Sequence, residues 1–377
     1  MSKRVVVAMS GGVDSSVAAY LLKEQGFEVI GLFMSLGTCL EKMAPKRKAC
    51  CSVYDAQDAR CVADLLDIKF SVLDFKTEFE QIINYFCSEY DAGRTPNPCI
   101  RCNQYLKFGK LMEYADKLDA DFIATGHYAR ITTEGKHYLL KKGLDKTKDQ
   151  SYVLFPLTQL QLSRICFPLG ELTKPEVRQL ARKIDLPVKD KAESQEICFV
   201  PGNDYRILIK ERLPNRLKEG NVKDTNDRII GQHQGYQLYT IGQRHGLGIA
   251  LGKPAYVVKI TPKTNTVILG PKEDVYKTTF LVDEVNWISL FDDAIKSTKT
   301  LVARGDPDEL LQTRLRREAE VKIRYLHKQA KARINILDNN QVEVNFYEPQ
   351  WAITPGQAAV FYQDDTVLGG GWIKLIF

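Results

Sequence analysis

The stretch Val5-Val6-Val7-Ala8-Met9-Ser10-Gly11-Gly12-Val13-Asp14-Ser15-Ser16 decides the fold. Its small and β-branched apolar residues suit a buried strand, Gly11-Gly12 make a tight turn, and the residues that follow open a helix. Glycines let backbone amides approach an anion closely. Ser15 and Ser16 add hydroxyl donors, and a helix N-terminus adds partial positive charge, so the unit is built to hold phosphate. It is not a Walker loop, because no lysine follows the last glycine, and it lacks the Gly-x-Gly-x-x-Gly of dinucleotide binding. The plain alternative is a tight turn with no ligand.

Outward from this loop, strand and helix patterns alternate. Lys3–Met9, Glu28–Phe33, Phe70–Phe75 and Phe122–Thr125 read as strands, with helical spacing over Ser15–Gln25, Asp55–Leu66, Glu78–Tyr90 and Gln104–Leu118. That alternation predicts a parallel sheet covered on both faces, with ligands outside the carboxyl ends of its strands and Ser10, Phe33 and Thr125 on one rim. A hairpin follows, Tyr128–Ile131 and His137–Lys141 about Glu134-Gly135, and Thr173-Lys174-Pro175-Glu176 reads as a capping box opening a helix to Ile184. From Asn221 onward short β-rich runs take over, among them Tyr256–Ile260, Thr266–Leu269, Ala332–Leu337, Val342–Phe346, Ala358–Tyr362 and Val367–Phe377, with Pro271–Lys277 as a linker. The fold class expected is α/β: an N-terminal parallel-sheet domain over 1–202, a central small β domain over 203–274, and a C-terminal β-barrel over 275–377. Asp306–Glu320 has helix-forming composition and predicts an amphipathic helix inserted in the last domain.

A chain of 377 residues with 44% hydrophobic and 27% charged residues fits two or three folded domains. No apolar run approaches the roughly 20 residues of a membrane span, and no signal-peptide pattern opens the chain, so a cytoplasmic location and no membrane partner are expected. Nine cysteines in this length do not make a disulfide scaffold, which points to catalysis or metal binding. Arg314–Arg333 holds eight Lys or Arg against two Glu, a local +6 that equals the net charge of the whole chain. Such a run reads either as a solvated helix face or as a surface for nucleic acid.

Three cysteines stand in distinctive settings. Cys99 and Cys102 lie in Arg94-Thr-Pro-Asn-Pro-Cys-Ile-Arg-Cys-Asn103, a proline-stiffened loop running into a helix. Asn103 is a candidate N-cap, which would put Cys102 just outside a helix N-terminus, beside Arg101, with its thiol pKa lowered from about 8.5. Cys198 lies in Ser194-Gln-Glu-Ile-Cys-Phe199. Cys61, Cys87 and Cys166 read as small buried hydrophobes.

Six ordered stretches carry a family resemblance. SGGVDS (Ser10–Ser15) resembles the PP-loop of the ATP pyrophosphatases. With GRTPNPCIRCN (Gly93–Asn103), ATGHYAR (Ala124–Arg130), KDQSYVLFPL (Lys148–Leu157), SQEICF (Ser194–Phe199) and YTIGQRHGLGI (Tyr239–Ile249), it is similar to the bacterial-type tRNA-specific 2-thiouridylases. VKIRY (Val321–Tyr325) and TPGQAAVFY (Thr354–Tyr362) extend the likeness almost end to end.

The resemblance implies a PP-loop catalytic domain and a monomer that uses ATP with Mg2+ to adenylate the C2 oxygen of the wobble uridine. The substrates implied are the lysine, glutamate and glutamine tRNAs. Sulfur would then arrive from a persulfide on Cys198, loaded by a cysteine desulfurase or a sulfur-relay protein, with Cys102 as the assisting nucleophile and a Cys102–Cys198 disulfide as one product. By the same carry-over Ala8, Met9, Ser10, Gly11, Gly12, Val13, Asp14, Ser15, Met34 and Gly126 hold ATP, Asp14 having a part in ATP and Mg2+ binding. Asn97, Pro98 and Cys99 border the flipped base, and His127, Lys148, Asp149, Gln150, Arg324, Tyr325 and Gln357 contact tRNA. Two departures stand out. Relatives often carry aspartate at the position of Cys99, so Cys99, Cys102 and Cys198 could instead hold an iron–sulfur cluster, with Cys50-Cys51 adding to a metal site. The segment near 306–320 also exceeds the usual connection. Rival readings are another PP-loop enzyme, such as a lysidine synthetase or an amidotransferase-type ligase, and a non-catalytic tRNA-binding protein.

Overall fold

A computed structural model describes residues 2–37, 53–193, 197–200, 202, 204–249, 252, 254–289, 316–337 and 340–377. The chain divides into two compact units. The first comprises 1–82, 99–201 and 365–367, and the second 83–98, 202–364 and 368–377.

The first unit is the expected doubly covered sheet. Strands β1 (Arg4–Ala8), β2 (Glu28–Ser35), β3 (Lys69–Asp74), β4 (Phe122–Ala124) and, after the hairpin β5 (Ala129–Glu134) and β6 (His137–Lys142), β7 (Ile165–Cys166) supply it. The sheet order is β3-β2-β1-β4-β7, and all its pairs are parallel. The period-2 alternation of β1 explains the two layers. Val5 and Val7 face a core shared with helix α1 (Val13–Glu24) through Val17 and Leu22, and with Val62, Val177 and Ala181. Val6 faces the other way, onto Leu111 and Ala115. Ser10 and Thr125 lie just past their strand ends, as expected. Phe33 does not share that rim: β2 runs on to Ser35, and Phe33 is buried inside it. The capping box at Thr173 forms, its amide and hydroxyl both donating to Glu176 Oε2 at 2.7 Å.

The second unit is β-rich. Strands β8 (Gly220–Asp224), β9 (Ile229–His233), β10 (Tyr256–Thr261) and β11 (Thr266–Gly270) form a four-stranded sheet in the order β10-β11-β8-β9. Strands β12 (Tyr276–Trp287), β13 (Arg316–Lys322), β14 (Ala330–Ile336), β15 (Val342–Trp351), β16 (Ala358–Gln363) and β17 (Thr366–Ile376) follow each other round in the order β12-β15-β14-β13-β16-β17. Pairing of β12 with β17 closes them into a barrel. Closure removes the exposed sheet edges.

The helix expected over 306–320 is corrected where it can be seen. Residues 306–315 lie outside the described residues, and 316–320 belong to β13. The local helix propensity of Arg-Glu-Ala-Glu loses to the barrel. Ala319 and Val321 point inward, 7% and 0% exposed, and the backbone pairs with both β14 and β16. The described part of the basic run, 316–333, therefore lies on a β-hairpin rather than a helix face.

Candidate active site

The phosphate loop takes the shape its residues require. Gly11 has φ +70°, a conformation that favours glycine, and a Cβ there would stand 2.2 Å from the Asp55 carbonyl oxygen. Gly12 is the N-cap of α1. The serines brace the turn from within. Ser10 N donates to Ser15 Oγ at 3.1 Å, and Ser15 Oγ and Ser16 Oγ donate to Gly12 O at 3.2 and 2.8 Å. Ser10 is exposed, while the side chains of Met9 and Val13 are buried, so those two can offer a ligand only backbone. Gly126 lies against α1, where a Cβ would meet Ser15 N at 2.8 Å, and Met34 is half-buried at the end of β2.

Around the loop stands an ionic network absent from the expectations above. Asp14, in the first turn of α1, accepts Lys174 Nζ on both oxygens (2.7 and 2.8 Å) and the Tyr128 hydroxyl at 2.8 Å. Burial and the Asp14 charge push the Tyr128 phenol well up, which keeps it a donor. With both carboxylate oxygens engaged, Asp14 is not presented to a Mg2+ ion, so the residues here do not fit the expected metal role and no step is assigned to it. Lys191 Nζ donates to Gly11 O at 2.8 Å and pairs with Asp55 and Asp58, each at 2.6 Å. These partners are 114 to 180 residues apart in sequence, so no local pattern could have announced them.

The cysteine setting differs from expectation in one respect. A helix already begins at Pro98 (Pro98–Arg101) and passes directly into a π-helical stretch, Cys102–Lys110. Asn103 is therefore no N-cap. It is buried inside the element, its Nδ2 donating to Val153 O at 3.2 Å. Cys102 gains no free helix terminus, and burial pushes its thiol up, with Lys107 only partly opposing this. A π-helical turn is rare and concentrates at functional sites. Cys198 is half-buried in a turn in which Val200 N donates to Ile197 O at 3.0 Å, anchored by Phe199 packed edge-on against Phe79. None of Cys99, Cys102 and Cys198 is in a disulfide, and Cys99 is exposed. Among the described residues, no three His, Cys, Asp or Glu side chains gather as metal ligands. Cys99, Cys102 and Cys198 thus do not fit an iron–sulfur cluster, while Cys50 and Cys51 lie outside the described residues.

The residues expected on tRNA divide by environment. Gln357 Nε2 donates to the carbonyls of Thr95 and Pro96 (3.0 and 2.9 Å), which fixes the loop that leads to half-buried Asn97 and buried Pro98. Gln150 Oε1 accepts from Tyr128 N and Asp149 from Ser151, so both brace backbone, while Lys148 pairs with Glu193 at 2.6 Å. His127, expected on tRNA, is buried. It is 7% exposed, bonded to Thr125 Oγ1 at 2.7 Å and boxed by Phe108 and Phe167; burial, then Lys107, hold its pKa well down. Arg324 Nη2 donates to Trp351 O at 2.5 Å, and Tyr325 is exposed on the β13–β14 turn under Lys322. No helix among the described residues is long and apolar enough to cross a membrane.

Comparison with known proteins agrees with this layout. Residues 3–202 match the family model described as tRNA methyl transferase HUP domain, 206–271 its PRC-barrel domain, and 277–373 the aminomethyltransferase beta-barrel domain. The chain is 49% identical to the tRNA-specific 2-thiouridylase MnmA of Carboxydothermus hydrogenoformans, over 99% of this chain and 98% of that protein. It is 46% identical to the enzyme of that name from Clostridium perfringens, with the same coverage. A solved 4-thiouridine synthetase–RNA complex with bound ATP is similar over 57% of this chain and 51% of that one, but its 14% identity and TM-score of 0.36 are too low to carry an argument. The chain belongs to the tRNA-specific 2-thiouridylase family.

Proposed function

We propose that this chain thiolates a tRNA uridine by adenylating its C2 oxygen with ATP and replacing that oxygen with sulfur carried on Cys198. The near full-length identity to 2-thiouridylases carries the reading, and the phosphate loop at Ser10–Ser15 supplies the adenylation half. A carbonyl oxygen is a poor leaving group, so the uridine O2 attacks the α-phosphorus of ATP and pyrophosphate departs. The terminal sulfur of a Cys198 persulfide then attacks C2, and AMP leaves with the original oxygen. The Cys102 thiolate takes Cys198 Sγ, freeing the C2 thiocarbonyl and leaving a Cys102–Cys198 disulfide that a thiol reductant must reset.

The substrate set proposed is the wobble uridine of the lysine, glutamate and glutamine tRNAs, with a cysteine desulfurase or relay protein as sulfur donor in the cytoplasm. The division proposed is a catalytic segment over 1–202, a central one over 203–274 and a barrel over 275–377. Asn97, Pro98 and Cys99 border the extruded base, whose unstacking costs a few kcal/mol that contacts elsewhere on the tRNA offset. Mass spectrometry of nucleosides after reaction with tRNA, ATP and a sulfur source tests the whole reading. Sulfur should replace oxygen at the wobble uridine alone, and thiolation at another position would defeat it.

The basic β13–β14 hairpin is the proposed tRNA surface in the barrel. Arg324→Gln is expected to weaken binding of all substrate tRNAs alike and to reduce the slope of log affinity against log salt by about one. An unchanged slope in a protein of unchanged melting temperature would remove Arg324 from that surface.

A further inference from the structure

Cys99 and Cys102 belong to one continuous helical stretch. The helix of Pro98–Arg101 runs straight into the π-helical Cys102–Lys110, so two cysteines three residues apart rise from the same face. On helical geometry their Cα atoms stand about 5 Å apart, inside the range of roughly 4.4–6.8 Å that a disulfide spans. The Cβ atoms, about 5–6 Å apart in a regular helix, need close by only about 1–2 Å. Cys99 stands in the first turn, whose amides have no helical carbonyl four residues back, so that turn can tighten. Exposure separates the three sulfurs. Cys99 is exposed, whereas Cys102 and Cys198 are half-buried. The proposed reaction ends with Cys102 joined to Cys198, a bond between two half-buried residues. Access governs how fast a reductant from solution attacks a disulfide, and Cys198 takes no further sulfur until that bond is broken.

We propose that Cys99 is a resolving cysteine: its thiolate attacks Cys102 Sγ, breaks the Cys102–Cys198 bond and moves the disulfide to Cys99–Cys102, at the exposed start of the helix. The inference deepens the proposed function and rests on its Cys102–Cys198 product. The exchange needs no oxidant. Cys99 gives its proton to water, one sulfur–sulfur bond forms as the other breaks, and Cys198 departs as a thiolate ready for the next sulfur. A dithiol reductant from solution then attacks exposed Cys99 Sγ, leaves as a cyclic disulfide and returns both cysteines to thiols. Attacking and leaving sulfurs lie on opposite sides of Cys102 Sγ in such an exchange. They need not converge as metal ligands do, in keeping with the lack of a three-ligand cluster among the described residues.

The test uses the full-length protein loaded with sulfur from polysulfide, the excess removed, and then given substrate tRNA and ATP with Mg2+ for one turnover without reductant. Thiols are capped with maleimide and disulfides mapped by non-reducing peptide mass spectrometry, beside a control lacking tRNA. Wild type should show a tRNA-dependent Cys99–Cys102 disulfide with Cys198 capped, and this map decides without a substitution. Cys99→Ser should instead hold a Cys102–Cys198 disulfide. Its ratio of steady-state to single-turnover rate should fall roughly tenfold at limiting dithiothreitol and recover at high dithiothreitol. A lost contact with the base lowers the single-turnover rate instead, and reductant does not restore it. The exchange alone is overturned by a wild type whose lasting disulfide is Cys102–Cys198, or whose Cys99–Cys102 disulfide forms equally without tRNA. A Cys99→Ser ratio equal to wild type at every dithiothreitol concentration, or one that excess does not restore, overturns it too. If Cys99→Ser forms no disulfide to Cys198 on turnover, or neither protein thiolates tRNA, the proposed chemistry of Cys198 and Cys102 fails and the exchange with it.

Discussion

Cys198→Ser is expected to lower tRNA thiolation by roughly three orders of magnitude or more while leaving tRNA-dependent pyrophosphate release in place. A serine oxygen cannot carry transferable sulfur, yet the substitution is nearly isosteric. The Ile197–Val200 turn and the Phe199–Phe79 contact that hold the position do not involve the sulfur. In the proposed reaction adenylation depends on the loop at Ser10–Ser15 and should survive. Parallel assays of released pyrophosphate and of thiolated nucleoside separate the two halves; near wild-type thiolation by the variant would remove Cys198 from the reaction. The companion step at Cys102 should show its environment in a pH profile. Burial raises that thiol, with Lys107 partly opposing. The thiolate fraction at neutral pH is therefore below that of an ordinary cysteine, and the Cys102-dependent rate should keep rising with pH beyond the usual thiol range. A rate already level at neutral pH would show a depressed, not a raised, pKa.

Gly11→Ala is the second large effect. Gly11 sits at φ +70°, and its Cβ would lie 2.2 Å from the Asp55 carbonyl oxygen and 2.9 Å from the carbon, both backbone atoms that cannot swing aside. The variant is expected to lose about 2–5 kcal/mol of stability to backbone strain and overpacking, and to lose nucleotide binding because the loop must shift to make room. Gly135→Ala provides the contrast. It too has positive φ (+58°) but open space around it, so only the left-handed penalty of about 1–2 kcal/mol applies. Urea melts and nucleotide titration of both variants give the comparison. A Gly11→Ala protein no less stable than Gly135→Ala would mean that the close approach to Asp55 is not a constraint.

Much of the catalytic unit was legible because its signals are contiguous. Val5–Ser16 encodes a strand, turn and helix within twelve residues, and the Thr173–Glu176 cap forms from side chains three residues apart. The barrel strands β14 and β15 likewise declare themselves by alternation, whereas β16 and β17 read as continuous apolar runs because both their faces are buried. Where local signals competed with the ladder, reading failed. Arg316–Glu320 has helical composition but sits in β13, because inward Ala319 and Val321 and pairing on two sides outweigh a propensity worth tenths of a kcal/mol per residue. Asn103 looked like a cap only because the helix start at Pro98 lay hidden under a proline-rich loop.

By itself, then, the sequence determined the fold class, the phosphate loop and, through its ordered motifs, the family with its two cysteines. Only the tertiary structure decided their surroundings. It committed Asp14 to Lys174 rather than to a metal, joined Glu193 and Lys191 to the loop across more than a hundred residues, half-buried Cys102 and buried His127. The physical reason is range. Turns and caps are fixed by neighbours in the chain, whereas desolvation and ion pairing depend on neighbours in space, which no spacing along the chain records.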